Sequence, residues 1–438
     1  MSKPLYSWGR YPQHPQIATA CTWRSDLPSA IKSFQDQQLE TLPFGNGRSY
    51  GDSCLAASDH VIQTRSMDRF IAADWSTGRI VVEAGITLAQ ILEVIIPRGW
   101  FLPVTPGTQF VTVGGAIAND VHGKNHHRKG TFASHTPRFG LLRSDDGLLV
   151  CSTEENPALY AATIGGLGLT GIITWSEINL VAINSSAIDS TKVRFDNLKE
   201  FFSLSDELDQ QHEYSVAWID CLAKGDAVGR GVFIVGDHAP YGELKLTHKG
   251  KLNVPFTPFV SPFSSQTLKC FNNTYWHVQP SKRTRQNIHY EPFFYPLDGI
   301  LNWNRIYGSK GFQQFQCVIP EVNAEATVHE LLSTIAKAGQ GSFLAVLKRC
   351  GEIPSPGLLS FPMPGTSLAL DFSQRAGLDT GLFRRLDDIV AEAGGRLYPA
   401  KDAHMSAEHF RTFYPAWEQI EELRDPALKS RFWKRVTS

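Results

Sequence analysis

Apolar runs of two different periods alternate along the N-terminal part of the chain. Val61–Thr64 and Arg79–Ala84 are short β-branched and apolar stretches separated by a polar turn, and they predict two strands. Thr87 then stands where a helix N-cap belongs. Leu88, Ile91, Leu92, Ile95 and Ile96 follow at helical spacing, and Pro97 with Gly99 ends the run. Leu148–Cys151 predicts another strand, Pro157–Ala162 a short helix, and residues 165–180 a turn running into an apolar strand. Strand and helix signals interleave, the pattern of a mixed α/β unit. From about Ser185 the texture is more polar, with Trp218, Trp276 and Trp303 set among Pro- and Phe-rich segments, and a domain boundary is expected there. Further on, Gln313–Ile319 alternates as a strand, Ala324–Ala338 has helical periodicity, and Phe343–Lys348 and Ser367–Phe372 predict further strands. Together they suggest a sheet with one helical face.

At 438 residues the chain is too long for one ordinary core, so two domains are expected. Its 42 Lys and Arg nearly balance 43 Asp and Glu, which argues against a nucleic-acid partner. Seven scattered cysteines, odd in number and without a C-x-x-C pair, argue against a disulfide framework or a thiolate metal site. Neither a signal-peptide core nor a membrane-spanning apolar run occurs, and a cytoplasmic protein is expected.

The chemistry concentrates in two glycine-rich stretches, PFGNGRSYGDS (Pro43–Ser53) and VGGAIANDVHGKNHH (Val113–His127). Gly45, Gly47 and Gly51 allow positive φ and inward-turned N–H groups, as a pyrophosphate requires, and Gly114 and Gly115 offer the same from a second side. Arg48 adds a fork suited to phosphate and Ser49 a small donor. Neither stretch reads G-x-G-x-x-G between strand and helix, and no P-loop occurs, so a dinucleotide here implies a different flavin fold. His122, His126 and His127 lack a neighbouring carboxylate or thiolate, so no metal is expected. His122 is either a proton acceptor or a loop histidine bonded to backbone. Gln314 and Gln316 share one face of their strand, equally consistent with a pocket or a solvated edge. Trp8 and Trp218 wall a pocket or fill a core, and Lys401, taken alone, is a loop lysine after Pro399.

Larger motifs add to these readings. SWGR at Ser7–Arg10, GNGRSYGDS, GGAIANDVHGKNHH, GGLGLTGII, YSVAWID at Tyr214–Asp220, FFYPLDGILNWNRIYG at Phe293–Gly308 and RLYPAKD at Arg396–Asp402 occur in this order. With them the chain resembles the FAD-dependent oxidases of the vanillyl-alcohol oxidase type, and within these is similar to the decaprenylphosphoryl-β-D-ribose oxidases. The resemblance implies an α+β, two-domain PCMH-type FAD-binding fold: residues 1–183 and a returning segment 396–438 hold the cofactor, and residues 184–395 form an inserted substrate domain, an antiparallel sheet with helices on one face. It implies that Gly45, Asn46, Gly47, Arg48, Ser49, Tyr50, Gly51, Asp52, Ser53, Gly107, Thr112, Val113, Gly114, Gly115, Asn119, His122, Ile172 and Tyr398 line FAD. Lys124, Trp218, Tyr295, Gln314, Gln316 and Lys348 would meet substrate, and Lys401, His122 and Gln316 would carry catalysis.

The implied reaction is oxidation of the 2-hydroxyl of a polyprenylphosphoryl-β-D-ribose to a 2-keto sugar, the first half of an epimerisation to lipid-linked D-arabinose completed by a short-chain dehydrogenase/reductase partner. Alternatives are an oxidase of soluble alditols or aldonolactones and a flavin-binding scaffold without turnover. Relatives that tether FAD through a histidine carry it where this chain has Arg48, so noncovalent FAD is expected. A lipid substrate implies peripheral contact at the inner face of the plasma membrane, for which the Phe- and Pro-rich stretch Leu252–Phe263 is the candidate. In SLALDF, Ser367 and Ala369 replace an asparagine and a cysteine of the family pattern, so no thiol adduct can form there.

Overall fold

The computed structural model describes residues 4–246, 252–259, 261–280, 283–374 and 380–438. Its largest element is an antiparallel sheet of eight strands, in spatial order Thr284–His289, Ala187–Phe195, Gly231–His238, Tyr214–Ile219, Ala345–Cys350, Gly365–Ser373, Phe312–Pro320 and Arg396–Leu397. Alternation explains its two faces. Phe315, Cys317 and Ile319 point into one core with Phe201, Leu331, Ile335 and Leu386 from the helices Leu198–Leu208, Ala324–Lys337 and Thr380–Glu392. Gln314 and Gln316, the intervening residues, point the other way, and this open face carries the site. Five of the eight strands, Ala187–Phe195, Tyr214–Ile219, Gly231–His238, Thr284–His289 and the two-residue edge strand Arg396–Leu397, lie where the sequence pattern predicts none.

The N-terminal part holds a three-stranded parallel sheet of Ile17–Ala20, His60–Gln63 and Pro43–Phe44 and a five-stranded antiparallel sheet. The latter runs Phe70–Asp74, Arg79–Glu83, Ile172–Asn179, Arg138–Arg143 and Gly147–Ser152. Thr87 caps the helix Leu88–Ile95 by accepting from the Gln90 amide, and Leu88, Ile91, Leu92 and Ile95 are fully buried against Ile80 and Val82. Each such side chain contributes roughly 1.5–3 kcal/mol.

One expected loop is instead a helix. Val113–Ala118 is a helical turn capped by Thr112, whose hydroxyl accepts from the Gly115 amide.

After the edge strand Arg396–Leu397 the chain returns to the N-terminal segments. Arg435 pairs with both Asp52 and Asp402 at 2.8 Å, and Arg431 pairs with Asp59. Ser430 bridges to Ala56, Leu428 to Thr41, and Asp425 accepts from the Ser144 amide. No helix among the described residues is long and apolar enough to cross a membrane.

Candidate active site

A cavity of roughly 790 Å³ lies between the glycine-rich segments and the open face of the eight-stranded sheet. Its first wall is main chain. The N–H groups of residues 45–49 donate to no group among the described residues, leaving a run of donors for an anionic ligand. Gly47 sits at φ +59°, the left-handed region that glycine enters without a Cβ penalty. Gly45 and Gly51 do not have positive φ and are required for closeness instead. A Cβ on Gly45 would stand 2.4 Å from Thr112 Oγ1, and one on Gly51 1.6 Å from the Asp402 carbonyl.

The second glycine pair does not mirror the first. Val113 donates to the Ile86 carbonyl, Gly114 to the Ala84 carbonyl and Gly115 to Thr112 Oγ1, so these amides are already used within the protein. Gly114 and Gly115 line the cavity as bare backbone. Asn46 joins the segments by donating to the Phe110 carbonyl at 2.7 Å.

The opposite wall is made of side chains. Gln314 donates to Asp371 Oδ1 at 2.6 Å, and Tyr307 donates to Asp371 Oδ2 at 3.1 Å. Gln316 Nε2 lies 3.3 Å from His122 Nε2 and 3.5 Å from Ser367 Oγ. Lys401 Nζ stands 3.8 Å from the centre of the Tyr50 ring. Burial pulls the Lys401 ammonium down to about 8, against the attraction of Asp371, and burial pushes Asp371 up to about 6, against Gln314, Lys401 and Tyr307. His122 packs beside the stacked rings of Phe361 and Tyr398. Its pKa is held well below the usual imidazole value, first by burial and then by Lys348, His126 and Lys401, so the ring is neutral near pH 7. Tyr398 donates to the Asn119 carbonyl at 2.7 Å, fastening the two walls together.

Further cations surround this centre. Lys348 donates to the Gly123 carbonyl at 2.7 Å, and Lys124 to the Phe293 carbonyl. Burial lowers Lys348 to about 8; burial and the charge of Lys348 lower Lys124 to about 7. Arg48 lies 4.0 Å from the Trp8 ring centre and 5.3 Å from that of Phe110. Its Nε is buried without a hydrogen-bond partner. Trp218, whose indole N–H donates to the Phe343 carbonyl, also lines the cavity. His126 and His127 serve backbone, accepting from the Gly351 amide and donating to the His212 carbonyl.

Five residues expected at the site do not line the cavity. Gly51 is pressed against Asp402, and Asp52 is occupied by Arg435. Val113, the first residue of the capped helix, is buried in the core, and Ile172 packs with Met67 and Leu142. Tyr295 is buried behind the wall, its hydroxyl 2.6 Å from Thr105 Oγ1. Two acids were not foreseen. Asp371 follows from the two-residue period that places it with Ser367 and Ala369, cross-strand from Gln314. Asp298, which accepts from Thr108 Oγ1 and the Gln109 amide and faces the Arg48 charge, has no signal in its motif beyond being the acid of FFYPLDG.

Residues 15–152 match the model of an FAD binding domain family. Over 97% of its length the chain is 32% identical to decaprenylphosphoryl-β-D-ribose oxidase of Mycolicibacterium smegmatis, covering 95% of that protein. The chain belongs to the decaprenylphosphoryl-β-D-ribose oxidase family. A second relative, an uncharacterized protein of Streptomyces coelicolor, is 33% identical over 77% of this chain and 95% of its own length. A putative D-arabinono-1,4-lactone oxidase of Neurospora crassa is 26% identical over 43% of this chain and 34% of its own. This member of the oxidase family is therefore an FAD-dependent oxidoreductase. Its own residues fit such a cofactor: the unused amides of residues 45–49 are donors that an anion requires, and Gly107, Gly114 and Gly115 line the cavity as bare backbone, leaving room for a flat ring.

Proposed function

We propose that the protein oxidises the 2-hydroxyl of a polyprenylphosphoryl-β-D-ribose to the 2-keto sugar. One observation carries the reading: Lys401, His122 and Gln316, together with the two ammonium groups of Lys124 and Lys348, converge on a single cavity whose other wall is a run of unpaired amides. FAD, when bound, supplies the two-electron acceptor for the hydride lost from the carbinol carbon. The hydroxyl proton goes to the neutral imidazole of His122, and the C–O bond becomes a carbonyl. Lys401, protonated and out of water, stabilises the negative charge that develops on the acceptor. Gln316 and Gln314 hold sugar hydroxyls, with Trp218 as a wall, and Lys124 and Lys348 meet the phosphate as point charges.

Within this reading residues 1–183 and the chain beyond the edge strand hold the cofactor, and the large sheet receives the sugar. Gly45, Asn46, Gly47, Arg48, Ser49, Tyr50 and Ser53, then Gly107, Thr112, Gly114, Gly115, Asn119 and Tyr398, are the cofactor contacts that the cavity supports. Attachment is noncovalent, because a guanidinium occupies position 48; flavin pelleting with acid-precipitated protein would contradict this. A short-chain dehydrogenase/reductase would reduce the keto product. The enzyme would touch the membrane peripherally near Phe256 and Phe259, which are 70% and 90% exposed.

Anaerobic mixing tests the reaction. Bleaching of the flavin by polyprenylphosphoryl-β-D-ribose and not by free alditols or aldonolactones is expected; bleaching by the soluble sugars alone overturns the assignment.

A further inference from the structure

The cavity does not end at the sugar-binding groups. Across the open face of the sheet it continues along one row of cross-strand neighbours. Lys192 pairs with Ile234, Ile234 pairs with Val216, and Lys348 stands at the next ladder position past the Ala217–Leu347 pair. Residues in register share a face, so these four side chains form one line across the floor, and all four line the cavity. Three strand spacings separate its ends, about 14 Å. Between the two ammonium groups the floor is apolar and only half-buried.

Both sides of this floor are apolar walls. On one side stands the helix Ser265–His277, whose Phe271 and Tyr275 face the cavity, with Tyr275 edge-on to Trp218 at 4.5 Å. On the other stands the helix Tyr290–Phe294, contributing Pro292 and Phe293. Phe293 is seated where Gly236 leaves room: a Cβ there would meet its ring at 3.0 Å. The result is a trough open along its length, with a cation at the catalytic end and another at the far end. A free sugar has no use for such a floor, since its hydroxyls would face Val216 and Ile234 unpaired.

We propose that this trough is an isoprenoid-binding subsite: the first isoprene units of the substrate lie on Val216 and Ile234, with the phosphate at Lys348 and the tail leaving past Lys192. The inference rests on the polyprenylphosphoryl reading above and adds where the lipid goes. Tail length, not only the sugar, then sets affinity, because apolar area removed from water in the trough is gained only by a prenylated substrate.

The test compares farnesylphosphoryl-β-D-ribose with methylphosphoryl-β-D-ribose as reductants of the flavin under anaerobic conditions. The wild-type protein should favour the farnesyl compound in kcat/KM. Ile234→Glu should cut that preference about tenfold or more through KM, leaving the methyl compound within twofold. Ile234→Trp, which fills the trough without adding charge, should do the same, and its flavin content reports that it has folded. Retention of the full preference in both variants overturns the subsite. Equal use of the two compounds by the wild type overturns it too, while leaving the proposed reaction standing. Reduction by neither compound removes the reaction and the subsite together.

Discussion

The two glycine-rich segments look alike as sequence and do different work. Residues 45–49 present unused amides to the cavity, whereas the amides of Val113, Gly114 and Gly115 are consumed by Ile86, Ala84 and the cap of a short helix. One segment offers hydrogen bonds to a ligand, and the other offers only the absence of side chains. A glycine cluster therefore says that backbone must come close to something. Whether that something is a ligand or another strand depends on where the N–H groups already go.

The largest expected effect sharpens the contrast between both main-chain segments and the side-chain wall. Lys401→Ala should leave a folded, yellow protein whose rate of substrate-dependent bleaching falls by about 10²–10³. Full activity of that variant would break the assignment. Next come the glycines themselves. Gly51→Ala would drive a methyl into the Asp402 carbonyl, so soluble flavin-loaded protein should be lost. At Gly107, which lines the cavity and has nothing within 4 Å of an added Cβ, alanine should leave the melting temperature of the flavin-free protein unchanged and weaken flavin binding. Equal behaviour of the two variants would erase the distinction between glycines that pack and glycines that face a ligand.

A smaller effect concerns pH. Lys401 is lowered to about 8 by burial and held up by Asp371. If its ammonium form is the active one, turnover is present below that value and is lost as pH rises through it. Asp371→Asn removes the supporting charge, and the alkaline limb of the rate profile should move to lower pH. A limb that stays in place would separate Asp371 from Lys401. The smallest effect is in proton bookkeeping: Lys124 at about 7 and Lys348 at about 8 are both raised by an anion beside them. Binding of methylphosphoryl-β-D-ribose near pH 8 should take up a fraction of a proton, read by calorimetry in buffers of different ionisation enthalpy.

Local signals were legible where one face of an element meets one environment. Thr87, Leu88, Ile91, Leu92 and Ile95 predict their helix because a single side of it is buried. The two-residue period of Gln314 and Gln316 predicts a shared face, and both reach the cavity. The strand Ala187–Phe195 was not legible. One face carries Ser190, which donates to the Val235 carbonyl, and Lys192, which lines the cavity, so the polar residues there do not mark solvent and the alternation reads as irregular. The helix Val113–Ala118 was hidden for a related reason. Two glycines in its first turn speak against a helix, and only the Thr112 cap and the close approach to Ala84 explain them. Asp52 and Gly51 sit inside the most recognisable motif and yet serve Arg435 and Asp402, so a motif's boundaries exceed those of the site it marks.

The bond from Arg435 to Asp52 spans 383 positions, and the same guanidinium holds Asp402, next to Lys401. A nascent chain that has not yet released residue 435 from the ribosome has the amide run but not the latch that sets it against the Lys401 ammonium. Cofactor loading is therefore expected to await the emergence of Arg435, and ribosome-stalled fragments ending before it should stay colourless in excess flavin.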